Sequence, residues 1–148
     1  MTMFPGKNEL SLISEHLKPY IKRTPVLTSE NLNNQFRTKL FFKCENFQKT
    51  GAFKLRGAMN AVLSLSEDEK KRGVVTHSSG NFAQALAYAS ACLGIKATIV
   101  MPENVIPSKR DAVLSYGADI IYSGNRPEDR ENKCSEVISE TGAVFVHP

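Results

Sequence analysis

Lys54 stands in the run Thr50-Gly51-Ala52-Phe53-Lys54-Leu55-Arg56-Gly57-Ala58, at the expected mouth of a helix and just after a turn that follows an apolar strand. A cation at a helix start works against the positive end of the helix dipole by a few tenths of a kcal/mol. A lysine kept there in spite of that penalty suits Schiff-base chemistry, which needs an amine that is rigidly placed, partly desolvated and close to groups that bind an anion. The second stretch is Thr76-His77-Ser78-Ser79-Gly80-Asn81-Phe82, which follows the apolar pair Val74-Val75 and opens an alanine-rich helix. Small hydroxyls, a glycine and an amide at a strand-to-helix turn aim backbone N–H groups and short donors at one point. A chain can hold a phosphate or carboxylate in this way without a metal. Taken singly each stretch has an ordinary reading: a solvated charge for the lysine, helix N-caps for Ser and Asn.

The elements that would position these residues follow from periodicity and punctuation. Glu9 to Tyr20 reads as a helix with Leu10, Ile13 and Leu17 on one face. Thr24-Pro25 requires an extended segment, and Lys39 to Lys43 reads as a strand. Lys54 to Leu65 reads as a helix burying Ala58, Ala61, Val62 and Leu65. Ser66-Glu67-Asp68-Glu69 has capping-box spacing and starts a short polar helix. A regular alternation follows: strands over Gly73–His77, Ala97–Met101, Asp119–Tyr122 and Ala143–Val146. Between them lie helices over Asn81–Leu93, Pro107–Tyr116 and Pro127–Glu140, the second with proline in its first turn and the third closed by Gly142. Such alternation predicts a parallel sheet covered on both faces. In a sheet of that kind ligands sit beyond the carboxyl ends of the strands, where Ser78 and Ser79 fall.

Composition excludes several classes. The 148 residues are 41% hydrophobic and 23% charged, ordinary for a globular chain. There is no stretch of about eighteen apolar residues of the kind that crosses a bilayer, so no membrane span is expected. Met1 to Lys7 has no apolar leader core. The net charge of +4 comes from basic residues dispersed among acids, so no nucleic-acid footprint is expected. Cys44, Cys92 and Cys134 are far apart and odd in number. They read as reduced thiols in a cytoplasmic protein, with no metal-ligand spacing. His77 adjoins the serine turn but reads as the packed end of a strand.

The segment from Phe41 to Val62, together with the serine turn, Thr24-Pro25-Val26-Leu27 and Ser115-Tyr116-Gly117-Ala118, resembles serine racemases and serine/threonine dehydratases. These are fold-type II enzymes dependent on pyridoxal 5'-phosphate (PLP). The resemblance runs from about Ile13 to Pro148 and implies an α/β protein of the tryptophan synthase beta-like PLP fold. Residues 1–72 would be an incomplete N-terminal portion of the large domain, carrying the cofactor lysine. Residues 73–148 would form a Rossmann-like small domain carrying the substrate loop. By the same resemblance Lys54 would carry PLP and move a proton on one face, and Phe53 would pack on the cofactor ring. Asn81 would hydrogen-bond the ring oxygen. Ser78, Ser79, Gly80, Asn81 and the Phe82 N–H would hold the carboxylate of a small amino-acid substrate. Ser79 would be an acid/base on the opposite face. Ala52 stands where the family commonly has Ser, and Phe82 where it commonly has His, which bears on substrate identity more than on the cofactor.

The enzymes that the chain resembles are about twice as long. That implies a truncated chain whose glycine-rich phosphate loop and divalent-cation site lie in a missing second half. The half-chain is expected to be inactive alone, with apolar surface exposed around Phe41, Phe42 and Val62. Full length, the resemblance implies a homodimer, with no nucleic-acid or membrane partner. Some eukaryotic racemases bind a nucleotide near residues matching Lys49, Thr50, Gln84 and Tyr116. Two alternatives stay open: dehydration of 3-hydroxyaspartate on the same scaffold, and a non-catalytic anion-binding α/β module.

Overall fold

The computed structural model describes residues 5–148, so Met1 to Phe4, on which part of the leader reading falls, lie outside the described residues. Fourteen elements follow in chain order. They are α1 (Lys7–Leu17), β1 (Val26–Leu27), α2 (Glu30–Phe36), β2 (Phe42–Lys43), a single 3-10 turn (Glu45–Phe47), α3 (Lys54–Leu63), α4 (Glu67–Arg72) and β3 (Val74–His77). After β3 come α5 (Asn81–Cys92), β4 (Ala97–Pro102), α6 (Pro107–Ser115), β5 (Asp119–Ser123), α7 (Pro127–Thr141) and β6 (Val144–Phe145).

The four later strands form one parallel sheet in the order β5-β4-β3-β6. Val74 is opposite Ala97 and His77 opposite Val100, and Val74 and Val75 pair on their other side with Val144 and Phe145. The chain thus steps outward from β3 to β4 and β5, then returns to the far side of β3. Because crossovers between parallel strands are right-handed, this reversal sends α7 to the sheet face opposite α5 and α6. The burial pattern agrees. Val75 and Val100 pack with Cys134, Val137 and Ala143 on the α7 side, while Val74, Ile99 and Met101 pack with Leu86, Ala89 and Val113 on the other.

That second cluster also holds Leu17, Leu55, Ala58, Met59 and Val62, because α3 lies against α5 and α1 lies against α3. Val62 is 0% exposed, which corrects the expected exposed patch at that position, whereas Phe41 is 72% exposed. The buried stripe of α3 is Leu55, Ala58, Met59 and Val62, with Ala61 and Leu65 half-buried. The alanines of α5 let α3 approach closely enough to cover it.

Local chemistry sets the boundaries. Ser66 accepts from the Glu69 N–H while the Glu69 carboxylate accepts from the Ser66 N–H, so the expected capping box is present. Gly73 turns the chain into β3 at φ 81° and ψ −177°, a region open to glycine alone, and an added Cβ would lie 2.7 Å from the Lys96 carbonyl oxygen. The Lys39–Lys43 strand shrinks to Phe42–Lys43, paired antiparallel with Val26–Leu27. No helix among the described residues is long and apolar enough to cross a membrane.

Candidate active site

Lys54 is the first residue of α3, and that helix has no acidic side chain in its first turn and no side-chain N-cap. Among the described residues the lysine makes neither an ion pair nor a hydrogen bond. Its Nζ instead lies 5.6 Å from the centre of the Phe53 ring and 5.7 Å from that of Phe82. Phe82 is 7% exposed and belongs to the core. The departure from histidine at this position therefore builds an apolar wall beside the amine. A cavity of about 350 Å³ opens there, lined by Phe53, Lys54, Phe82, Val146 and His147 among others. Phe82 is the residue of the second stretch that lines this cavity; Ser78, Ser79, Gly80 and Asn81 do not.

The turn after β3 supplies donors. Ser78 continues the ladder by donating its N–H to the Val100 carbonyl, and the Gly80 N–H donates to Ser78 Oγ at 3.4 Å. Gly80 is the N-cap of α5 and offers no side-chain acceptor to the first N–H groups of that helix. The four-residue set Ser79, Gly80, Asn81 and Phe82 therefore begins a helix whose unpaired amides suit an anion. Ser79 and Asn81 are exposed, Ser78 and Gly80 half-buried. The serine turn lies at the carboxyl end of β3, where the connections run to opposite sides of the sheet, which is where open α/β sheets take ligands.

His77 ends β3 on the α7 side. Its ring stacks on Phe145 at 5.6 Å and 21°, and burial pulls its pKa below the usual value. This is the packed strand end expected from the sequence. A separate cavity of about 260 Å³ opens beside it, next to Cys134 and Glu131.

The segment leading into α3 is fastened by residues to which the sequence reading gave no role of their own. The Arg56 guanidinium clamps Glu45 through two bonds, Nε to Oε2 at 2.9 Å and a terminal nitrogen to Oε1 at 2.7 Å. Thr24, 4% exposed, donates its hydroxyl to the same carboxylate at 2.5 Å. These partners hold the Glu45 pKa down at about 2, with the Arg56 hydrogen bond the largest cause. Gln48 grips the Lys22 backbone from both sides, accepting from its N–H at 2.8 Å and donating to its carbonyl at 2.9 Å. The turn into α3 is thereby fastened at Glu45, Gln48 and Arg56. Lys109 is a further unforeseen neighbour, donating from Nζ to Asn81 Oδ1 at 2.7 Å. The residues of the expected nucleotide contact fall partly together: Lys49 Nζ lies 5.8 Å over the Tyr88 ring, and Tyr88 meets Tyr116 edge-on at 5.3 Å.

The donor set fits PLP. It offers a free amine, two aromatic faces for a ring, a side-chain amide for a ring oxygen and a helix start for a carboxylate.

Comparison with known proteins agrees with this geometry. Residues 17–148 match the sequence profile of the family described as pyridoxal-phosphate dependent enzyme. A serine racemase of Arabidopsis thaliana is 53% identical over 134 residues, 90% of this chain and 40% of the relative. A beta-hydroxyaspartate dehydratase of Paracoccus denitrificans is 45% identical over 144 residues, 97% of this chain and 46% of the relative. The solved structure of maize serine racemase superposes with a TM-score of 0.91 at 47% identity, covering 94% of this chain and 42% of that one. The chain therefore spans less than half the length of each of these proteins.

Proposed function

The chain belongs to the pyridoxal-phosphate dependent enzyme family, and on that premise we propose that the protein is a PLP-dependent racemase or ammonia-lyase acting on small hydroxy amino acids such as serine and threonine. The observation that carries this reading is the placement of Lys54: an unpaired amine at a helix start, near the Phe53 and Phe82 rings, the latter in the first turn of α5.

In this reading Lys54 would hold PLP through Nζ and would carry a proton on one face of the substrate. Phe53 packs on the ring, and Asn81 donates to the ring oxygen. Ser78, Ser79, Gly80, Asn81 and the Phe82 N–H receive the substrate carboxylate, using the amides that α5 leaves free. Bound PLP supplies an electron sink that makes the substrate α-proton acidic. Ser79 Oγ hands a proton to or from the opposite face, which is what racemisation needs and elimination does not. The Phe82 ring gives the lysine side of the site an apolar wall. The division at Gly73, with residues 1–72 as part of a large domain and 73–148 as a small one, belongs to the same proposal. So do a homodimer, a divalent cation bound elsewhere in the protein, a nucleotide effect near Lys49 and a cytoplasmic location. The Paracoccus relative supports 3-hydroxyaspartate as a second substrate reading.

The test is product analysis with L-serine, L-threonine and 3-hydroxyaspartate, following ammonia, keto acid and D-serine. In the whole protein one of these substrates is expected to turn over, and Lys54→Ala is expected to abolish turnover. Turnover that survives Lys54→Ala, or none with any of the three, overturns the proposal.

A further inference from the structure

Lys109 is on α6, 28 residues from Asn81, and no expectation from sequence attaches to it. Its Nζ reaches Asn81 Oδ1 at 2.7 Å, the length of a charge-assisted bond. A lysine ammonium has three donors and no acceptor, so it can face only the oxygen of the amide. The orientation of the Asn81 side chain is thereby decided: the oxygen is held by Lys109 and both Nδ2 hydrogens are left for another acceptor. No protein acceptor takes them among the described residues. Lys109 is half-buried, while Asn81 is exposed at the start of α5. No carboxylate competes for the lysine, since it makes no ion pair among the described residues.

We infer that Lys109 is a positioning residue, which fixes the Asn81 amide so that Nδ2 presents its donors to an anionic ring oxygen of the cofactor. The inference rests on the PLP reading above and deepens it. The ammonium also polarises the amide, strengthening the donors on the nitrogen side. The arrangement links α6 to the binding turn of α5.

Two measurements on wild type, Lys109→Met and Lys109→Arg test it. The first needs no cofactor. In a ¹⁵N-labelled sample of the chain, the Asn81 side-chain amide pair, assigned by its loss in Asn81→Asp, is expected to shift in Lys109→Met and to return in Lys109→Arg. An unmoved pair in Lys109→Met overturns the inference whatever the cofactor does. The second is absorbance titration of the whole protein with PLP. Loss of one charge-assisted bond's worth of positioning predicts that Lys109→Met raises the PLP dissociation constant about tenfold. It should also raise the pH midpoint of the cofactor's spectral change, with Lys109→Arg near wild type. Equal affinity and equal midpoint in Lys109→Met overturn the positioning role while leaving the PLP reading intact. A wild-type protein that binds no PLP overturns the functional reading and this role with it. Lys109 packs in no core cluster, so circular dichroism is expected to show all three proteins folded.

Discussion

Replacing Glu45 by Gln removes the charge that fastens the turn into α3 and leaves the shape. In the folded protein Arg56 and Thr24 hold the Glu45 carboxyl at a pKa of about 2, against an ordinary 4.5. At 1.36 kcal/mol per pKa unit this difference would correspond to about 3 kcal/mol. Water reaches part of the pair, since the Arg56 side chain is 33% exposed and that of Glu45 15%. Screening therefore lowers the expectation to about 1.5–2.5 kcal/mol, in line with a bidentate charged bond. The sign is fixed by the direction of the shift. A carboxyl depressed in the folded state stabilises above its unfolded pKa and loses that contribution as pH falls through the folded one. Urea unfolding of wild type and Glu45→Gln at pH 7, 5, 3.5 and 2 is the assay. The variant is expected to be less stable by about 2 kcal/mol at pH 7 and 5. The gap should close progressively below about pH 4.5 and fall to less than half by pH 2. Carboxylates common to both proteins cancel in the comparison. A gap that stays constant with pH, or no gap at pH 7, would refute the reasoning.

Three further outcomes are expected. Gly73→Ala sets a Cβ 2.7 Å from the Lys96 carbonyl oxygen in a backbone region closed to alanine, and should lower the urea midpoint by an amount worth about 2 kcal/mol or more. Alkylation of the native protein at pH 8 should label exposed Cys92 and spare Cys134, which is 2% exposed and whose thiol burial pushes up to about 11; peptide mapping before and after denaturation reads this directly. Ser79→Ala should abolish interconversion of L- and D-serine and keep a measurable part of any elimination, whereas equal loss of both through KM would show a serine that only binds carboxylate.

Legibility in the sequence followed the range of the forces involved. From Gly73 onward each strand is a short apolar run bounded by glycine, proline or a cap, and the observed elements end within two residues of those expected. The Ser66–Glu69 box and the Gly142 stop depend on neighbours three or four residues apart, so the sequence displays them. The N-terminal third reads less well because its stability is non-local. Helix α2 was not anticipated: it buries no side chain, and its one signal is the Ser29 cap, which accepts from the Leu32 N–H. Leu10, Ile13 and Leu17 were expected on one face of α1: Leu17 is buried and Ile13 packs half-buried against the core, whereas Leu10 is 52% exposed. Leu55 and Met59 escaped notice because the partner of α3 is α5, across the chain. The site divides in the same way. Lys54 and the serine turn announce themselves by residue type, whereas Glu45, Thr24, Gln48 and Lys109 act through contacts 11 to 28 residues apart that no local pattern records.

Reduction of the whole protein with borohydride in the presence of PLP, followed by peptide mass mapping, tests the central claim most directly. Hydride makes a lysine–cofactor bond permanent, so the labelled peptide identifies the amine that carried it. The account predicts a single label on the peptide containing Lys54 and its loss in Lys54→Ala. A label on any other lysine, or no label at a PLP concentration that saturates the protein, would contradict it.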